Sequence, residues 1–215
     1  MEIGPGVEQA HSSQLLGFED LHAGYGKKVI LRGLTLSVSL GELVVLIGAN
    51  GTGKSTALKV AMGLVSPRRG RVWFCGQEVT RLPVHARARL GIGFLLQGGE
   101  VFPSLSVSEN LELAACFLGE EARREQQQFV MKTFPVLQER VLVRAGLLSG
   151  GQRQSLALAM ILMQKPKVLL LDEPSAGLSP DLAAQILRTV RDLCTGTGLT
   201  VLMVEQRVRE ALAIA

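Results

Sequence analysis

Hydrophobic residues in this chain come in short runs, separated by stretches of helical spacing. Leu43–Ile47 (LVVLI) and Val168–Leu171 (VLLL) have the length of buried strands. Further strand-like runs cover Leu15–Leu21, Val29–Ile30, Leu34–Val38, Arg71–Cys75, Ile92–Leu96 and Thr200–Val204. The early runs follow one another too closely for helical crossovers, so part of the N-terminal region is expected to be antiparallel. The later runs alternate with helical patterns and predict a parallel α/β core. From Pro103 to about Leu148 the pattern turns helical. There Ser106 and Glu109 have the spacing of a capping box, and "EEARREQQQFVMKTF" places acids first and bases inside. The chain thus divides into a polar lead-in, 1–14, and one domain, 15–215. The α/β core with its β subdomain takes 15–102 and 149–215, and a helical subdomain takes 103–148. The pattern breaks off at Ala215 without a stop signal, which reads as a truncated C-terminus.

Composition narrows this picture by exclusion. A chain of 215 residues, 47% hydrophobic and 20% charged, is globular and large enough for a core of its own. No apolar run is long enough to span a bilayer, and "MEIGPGVEQAHSSQ" lacks the basic start and apolar stretch of a signal peptide. Cys75, Cys116 and Cys194 show no metal-ligand spacing and read as reduced core thiols. The net charge is +4, and the basic clusters Arg68–Arg69, Arg87/Arg89 and Arg123–Arg124 lack interleaved aromatics. They read as solvated helix faces, so no nucleic-acid partner is expected.

The chemistry begins at "GANGTGKST", Gly48 to Thr56, between the run LVVLI and the helical ALKVAMGL. G-x-x-x-x-G-K-[ST] is a phosphate-binding pattern. Gly48, Asn50, Gly51 and Gly53 let the backbone N–H groups, with those of Ser55 and Thr56, converge on phosphate oxygens at a helix N-terminus. Lys54 would reach the terminal phosphates and Ser55 would ligate Mg²⁺. Later, "KPKVLLLDEP" sets Asp172 and Glu173 at the C-terminal end of a buried strand, the edge where α/β sheets bind ligands. Asp172 suits a carboxylate holding Mg²⁺ through its water shell, and Glu173 a general base toward a water attacking the γ-phosphate.

A third element, Leu148-Ser149-Gly150-Gly151-Gln152, is a glycine turn opening a helix. By geometry it is either an anion site or a plain capping turn. Its sequence, with the Asp-Glu pair about twenty residues further on, resembles the ABC-type ATPases, and the likeness extends over nearly everything from Phe18 onward. The fold that the resemblance implies is α/β: a P-loop NTPase (RecA-like) core with an N-terminal antiparallel β subdomain and a helical subdomain. In that family two ATPase subunits face head to tail, with each ATP between the phosphate loop of one and the LSGGQ turn of the other. The resemblance therefore assigns Ser149, Gly150, Gly151 and Gln152 to the partner's nucleotide. Tyr25 matches the aromatic that stacks on adenine. Gln97, in "FLLQGGEVF", matches the loop glutamine that touches Mg²⁺ and the attacking water. Asp181, in "SAGLSPDL", matches the residue of a loop that communicates across the dimer.

The family usually has histidine after "VE" near the C-terminus; here Gln206 follows Glu205, and His11, His22 and His85 lie in other segments. A glutamine amide offers N–H donors but cannot become cationic. Stabilising a transferring phosphoryl group needs positioned donors more than proton chemistry, so an active enzyme is expected. "VEQ", "LPVHARARLGIGFLLQGGEVFPSLSVSENLEL" and "LLLDEPSAGLSP" are similar to the ATPases of branched-chain amino-acid importers and their urea-importer relatives. That likeness implies an ATP- and Mg²⁺-dependent subunit, peripheral on the cytoplasmic face of the membrane. It implies permease subunits as partners, a homodimer or a heterodimer with a second ABC ATPase, and membrane contact only through the permease. One departure is Met160, where the family usually has arginine.

Overall fold

A computed structural model describes residues 14–207; His11, nearly all of the lead-in and the pattern running to Ala215 lie outside the described residues. The chain opens with a long hairpin, β1 (Gln14–Tyr25) and β2 (Lys28–Ser39), followed by β3 (Leu43–Ile47) and α1 (Lys54–Met62). Next come β4 (Arg69–Phe74), β5 (Gln77–Glu78), α2 (Val84–Leu90) and β6 (Ile92–Leu95). Three helices follow, α3 (Val107–Ala114), α4 (Glu120–Thr133) and α5 (Pro135–Gln138). The chain continues as α6 (Gly150–Leu162), β7 (Val168–Asp172), α7 (Pro180–Thr197) and β8 (Thr200–Glu205).

Two sheets result. One is antiparallel in the order β2-β1-β4-β5; the other is parallel in the order β3-β8-β7-β6. The central strands of the parallel sheet alternate with period two, as strands covered on both faces must. Leu169, Leu171, Val201 and Met203 pack with α3 to α7, while Val168, Leu170, Leu202 and Val204 pack with α1 and the antiparallel sheet. Strand β3 has a partner on one side only among the described residues, and it is half-buried where β7 and β8 are buried throughout.

Several expectations need correction. Val29–Ile30 and Leu34–Val38 are one strand, and the first strand runs on to Tyr25. Bulges explain both: the register steps from Leu21↔Leu34 to His22↔Arg32, leaving Gly33 extra at φ +75, and Asp20 opposite sits at φ +43. A bulge shifts which face a side chain takes, so the apolar alternation breaks while the strand continues. The short β5 and the helix α2 carried no clear periodic signal. Cys75 ends up in the turn beyond β4 rather than in it, and Cys75 and Cys116 are exposed; of the three thiols only Cys194 is in the core. The capping box at Ser106 and Glu109 is present, both of its bonds formed.

Arg87 also departs from expectation. It is not on a solvated face but is 1% exposed, its guanidinium donating to the carbonyls of Val60 and Ala61 (both 2.7 Å), Thr80 (2.8 Å) and Leu82 (3.0 Å). Two of these acceptors are at the C-terminal end of α1, where carbonyls lack partners in the helix and a cation is favoured. Burial pushes the guanidinium down to about 10, so it stays charged at neutral pH. Arg87→Ala is expected to destabilise the fold by about 3 kcal/mol, because it strands buried acceptors. Thermal unfolding of the purified variant checks this, and an unchanged midpoint would contradict it.

The loop between β6 and α3 is stitched by Asn110. Its Oδ1 accepts the Phe102 N–H at 2.8 Å, and its amide donates to the carbonyls of Phe102 (3.1 Å) and Ser106 (2.8 Å). The stretch leading from Gln97 into the helices is thereby fixed to α3.

Candidate functional site

The C-terminal ends of β3, β8, β7 and β6 lie side by side, with Ile47 opposite Glu205 and Val204 opposite Asp172. Beyond this edge lie the phosphate-loop glycine Gly48 after β3, Gln97 two residues after β6, Glu173 after β7 and Gln206 after β8. The loop 48–53 turns into α1 with Gly53 at φ +100, a backbone state open to glycine. A Cβ at Gly53 would meet Leu31 and Ile30 within 3 Å, so the loop seats tightly on β2. The Lys54 ammonium donates to the carbonyls of Gly48 (2.8 Å) and Ala49 (2.9 Å), and so stays at the loop.

Below the loop, the Ser55 hydroxyl donates to Asp172 Oδ1 at 2.7 Å. Burial pushes the Asp172 carboxyl above its ordinary value; the Ser55 bond opposes this, the Glu173 charge adds to it, and Lys59 and Lys54 oppose it. Among the described residues no three His, Cys, Asp or Glu side chains gather as a metal cage. A buried carboxylate beside a hydroxyl instead fits Mg²⁺, which takes few protein oxygens and shares the rest with water and phosphate. The raised carboxyl binds its proton more tightly folded than unfolded. Its contribution to stability is therefore complete below the unfolded value of 3.8 and lost as pH rises through the higher folded one. In chelator, any stability gained by Asp172→Asn over the parent should shrink as pH falls from neutrality toward that value. Thermal unfolding across pH checks it, and a constant difference would contradict it.

Glu173 follows at φ +51, buried, with both carboxylate oxygens engaged. Gln97 Nε2 donates to Oε2 at 3.2 Å, and Gln206 Nε2 donates to Oε1. Three residues from three different strand ends thus meet at one carboxylate. They line a cleft of about 460 Å³ together with Tyr25, Lys28, Ile30, Asn50, Gly51, Gly53, Lys54, Ser55 and Thr56. Tyr25, half exposed, is at the tip of the first hairpin on the rim of this cleft. Lys28 and Ile30 were not anticipated; the bulged strand hid their approach to the loop.

Ser149, Gly150, Gly151, Gln152 and Asp181 do not line this cleft. The Ser149 hydroxyl accepts the Gln152 N–H at 3.4 Å and Gln152 Oε1 accepts the Ser149 N–H at 3.0 Å, a capping box that opens α6. The first turn of α7 packs against this turn: a Cβ at Gly151 would meet the Leu182 side chain at 3.0 Å, so the contact is tight there. Asp181 is exposed beside Leu182, within the first turn of α7 behind Pro180 rather than in the preceding loop. Met160 packs against the helical core.

The sequence profile of the family described as "ABC transporter" matches residues 31–176. The chain is similar to the probable branched-chain amino acid transport ATP-binding protein LivF of Archaeoglobus fulgidus, 41% identical over 91% of this chain and 83% of that one. It is also similar to the lipopolysaccharide export system ATP-binding protein LptB of Acidithiobacillus ferridurans, 36% identical over 94% and 84%. Among solved structures, a dimeric post-hydrolysis ATP-binding cassette bound to ADP and Pi superposes with a TM-score of 0.79, at 26% identity, over 92% of this chain and 90% of that one.

Proposed function

Since this chain belongs to the ABC transporter ATPase family and hydrolyses ATP as a transporter subunit, we propose that it drives an importer of branched-chain or other hydrophobic amino acids. The meeting of Gln97, Glu173 and Gln206 above the Lys54 loop and the Ser55–Asp172 pair carries the catalytic part of this reading.

In it, Tyr25 stacks on adenine, and the backbone N–H groups around Asn50, Gly51, Gly53, Ser55 and Thr56 hold the phosphates with Lys54. Ser55 and Asp172, with Gln97, hold Mg²⁺, which when bound neutralises phosphate oxygens. Glu173 takes the proton of the attacking water, which Gln97 helps to orient. The Gln206 amide has two jobs: it fixes Glu173 and directs N–H toward the γ-phosphate as charge develops there. Ser149, Gly150, Gly151 and Gln152 act on the nucleotide of a second ATPase subunit, which accords with their position off this chain's own cleft. Asp181, exposed next to the Leu182 that packs on that turn, serves communication between the two.

The permease contact is read at an apolar groove of about 320 Å³ formed by the Gln97–α3 loop and α6. Phe102 and Leu113 line it and are about half exposed, and Phe117 nearby is 86% exposed. Such a patch suits a partner rather than water. No described helix is long and apolar enough to cross a membrane. In the proposed reading membrane contact runs through the permease, at its cytoplasmic face. The amino-acid cargo rests on the likeness to LivF; the likeness to LptB supports export of a lipid-linked cargo as the second reading.

The test is to tag the protein in its own cell, extract membranes in mild detergent and identify what co-purifies. Two permeases and a second ABC ATPase are expected, with hydrolysis in the assembly stimulated by a hydrophobic amino acid. Permeases of a lipopolysaccharide exporter would favour the second reading, and a partner with no permease would overturn transport.

A further inference from the structure

Glu205 ends β8 with its side chain 1% exposed, and no lysine, arginine or histidine pairs with it among the described residues. A carboxylate taken out of water without a counter-cation must be satisfied by hydrogen bonds. Its two oxygens meet two backbone donors. Oε1 accepts the Ser175 N–H at 3.1 Å, and Oε2 accepts the Gln206 N–H at 3.2 Å. These donors belong to the two loops that carry Glu173 and Gln206.

We propose that Glu205 is a positioning residue for hydrolysis, holding the Glu173 turn and the Gln206 backbone at a fixed separation. Glu173 lies at φ +51, a conformation that a non-glycine residue keeps only when its surroundings impose it. The turn is closed by the Ala176 N–H on the Glu173 carbonyl at 3.0 Å, and Ser175 stands inside it. The Ser175 hydroxyl is buried with no partner; its N–H is held by the Glu205 carboxylate, and its carbonyl accepts the Leu178 N–H at 3.3 Å. On the other side, anchoring the Gln206 N–H fixes the Cα from which the glutamine amide reaches Glu173 Oε1. A second stitch runs the same way: Arg207 donates to the Leu178 carbonyl at 2.8 Å. The buried carboxylate sets two catalytic groups and is not itself among the residues that line the cleft.

This inference rests on Glu173 acting as the base, and the experiment separates the two. Glu205→Gln conserves size but turns an NH₂ group toward one of the two backbone donors. ATP turnover, ATP affinity and thermal unfolding are measured on the full purified chain, alone and combined with Gln206→Ala, with Glu173→Gln as the control. Glu205→Gln should lower kcat by about 10- to 100-fold, as a slight misplacement of catalytic groups does, with ATP affinity nearly unchanged because the phosphate loop is untouched. In the Gln206→Ala background the same substitution should cost less than it does alone, since the share that acts through the Gln206 amide is already gone and only the share through the Glu173 turn is left. A full, additive loss in that background, or a loss that tracks ATP affinity, would overturn the positioning role. If Glu205→Gln fails to fold, Glu205→Asp, which keeps the charge one methylene short, is judged by the same non-additivity. Normal turnover of Glu205→Gln beside an inactive Glu173→Gln overturns this inference alone; normal turnover of Glu173→Gln overturns both readings.

Discussion

Glu173→Gln is expected to lower ATP turnover about 1,000-fold while ATP still binds, the loss typical of a removed general base. The amide is nearly the same shape as the carboxylate, so packing and the turn at φ +51 should survive. What disappears is an acceptor able to take the proton of the attacking water. One of the two clasping amides, Gln97 or Gln206, would then face an NH₂ group instead of an oxygen. In the proposed site affinity rests elsewhere, on Lys54, the loop N–H groups and the Ser55–Asp172 pair, so nucleotide titration should change little. Single-turnover phosphate release beside nucleotide binding checks both halves. Release at the parental rate would move the base to another residue, and lost binding would mean that Glu173 shapes the nucleotide pocket.

The second large effect belongs to Gln206. Gln206→Ala is expected to cost about 100-fold in kcat, as removal of one positioned donor at a transition state does. Glu173 would also lose the bond to its Oε1. Gln206→His should retain turnover, since imidazole N–H is a donor as well. It should add a limb near the histidine range to the pH–rate profile, which the parent lacks at this position because an amide does not titrate there. Profiles of the three proteins from acid to mild alkali decide it. A parent as slow as the alanine variant would mean that glutamine here contributes nothing.

The parts of the site legible in the sequence are those where one contiguous stretch carries both the element and the chemistry. The Lys54 loop follows an apolar run and opens a helix, and Asp172-Glu173 closes VLLL; hydrophobic length alone sets both at a strand end. Gln97 and Gln206 were found through family likeness, because a lone glutamine has no signature of its own. The first hairpin was misjudged where the bulges at Asp20 and Gly33 interrupt its alternation. Arg87 and Glu205 were missed for one physical reason. Their partners are main-chain carbonyls and N–H groups, which every residue has and no sequence pattern marks. The faint clue to Glu205 was a carboxylate in register with fully buried strand positions.

The single-sided pairing of β3 bears on how the molecule breathes. β7 and β8, paired on both flanks and buried on both faces, should guard their amide protons longest, releasing them only when the whole domain opens. The phosphate loop hangs instead from a strand that, among the described residues, is paired on one flank, and its protons should exchange through smaller openings. A ligand held by that loop closes those openings by mass action. Nucleotide occupancy would then be written into the exchange rates of Leu43 to Ile47, turning an edge strand of the sheet into a reporter of the bound ligand.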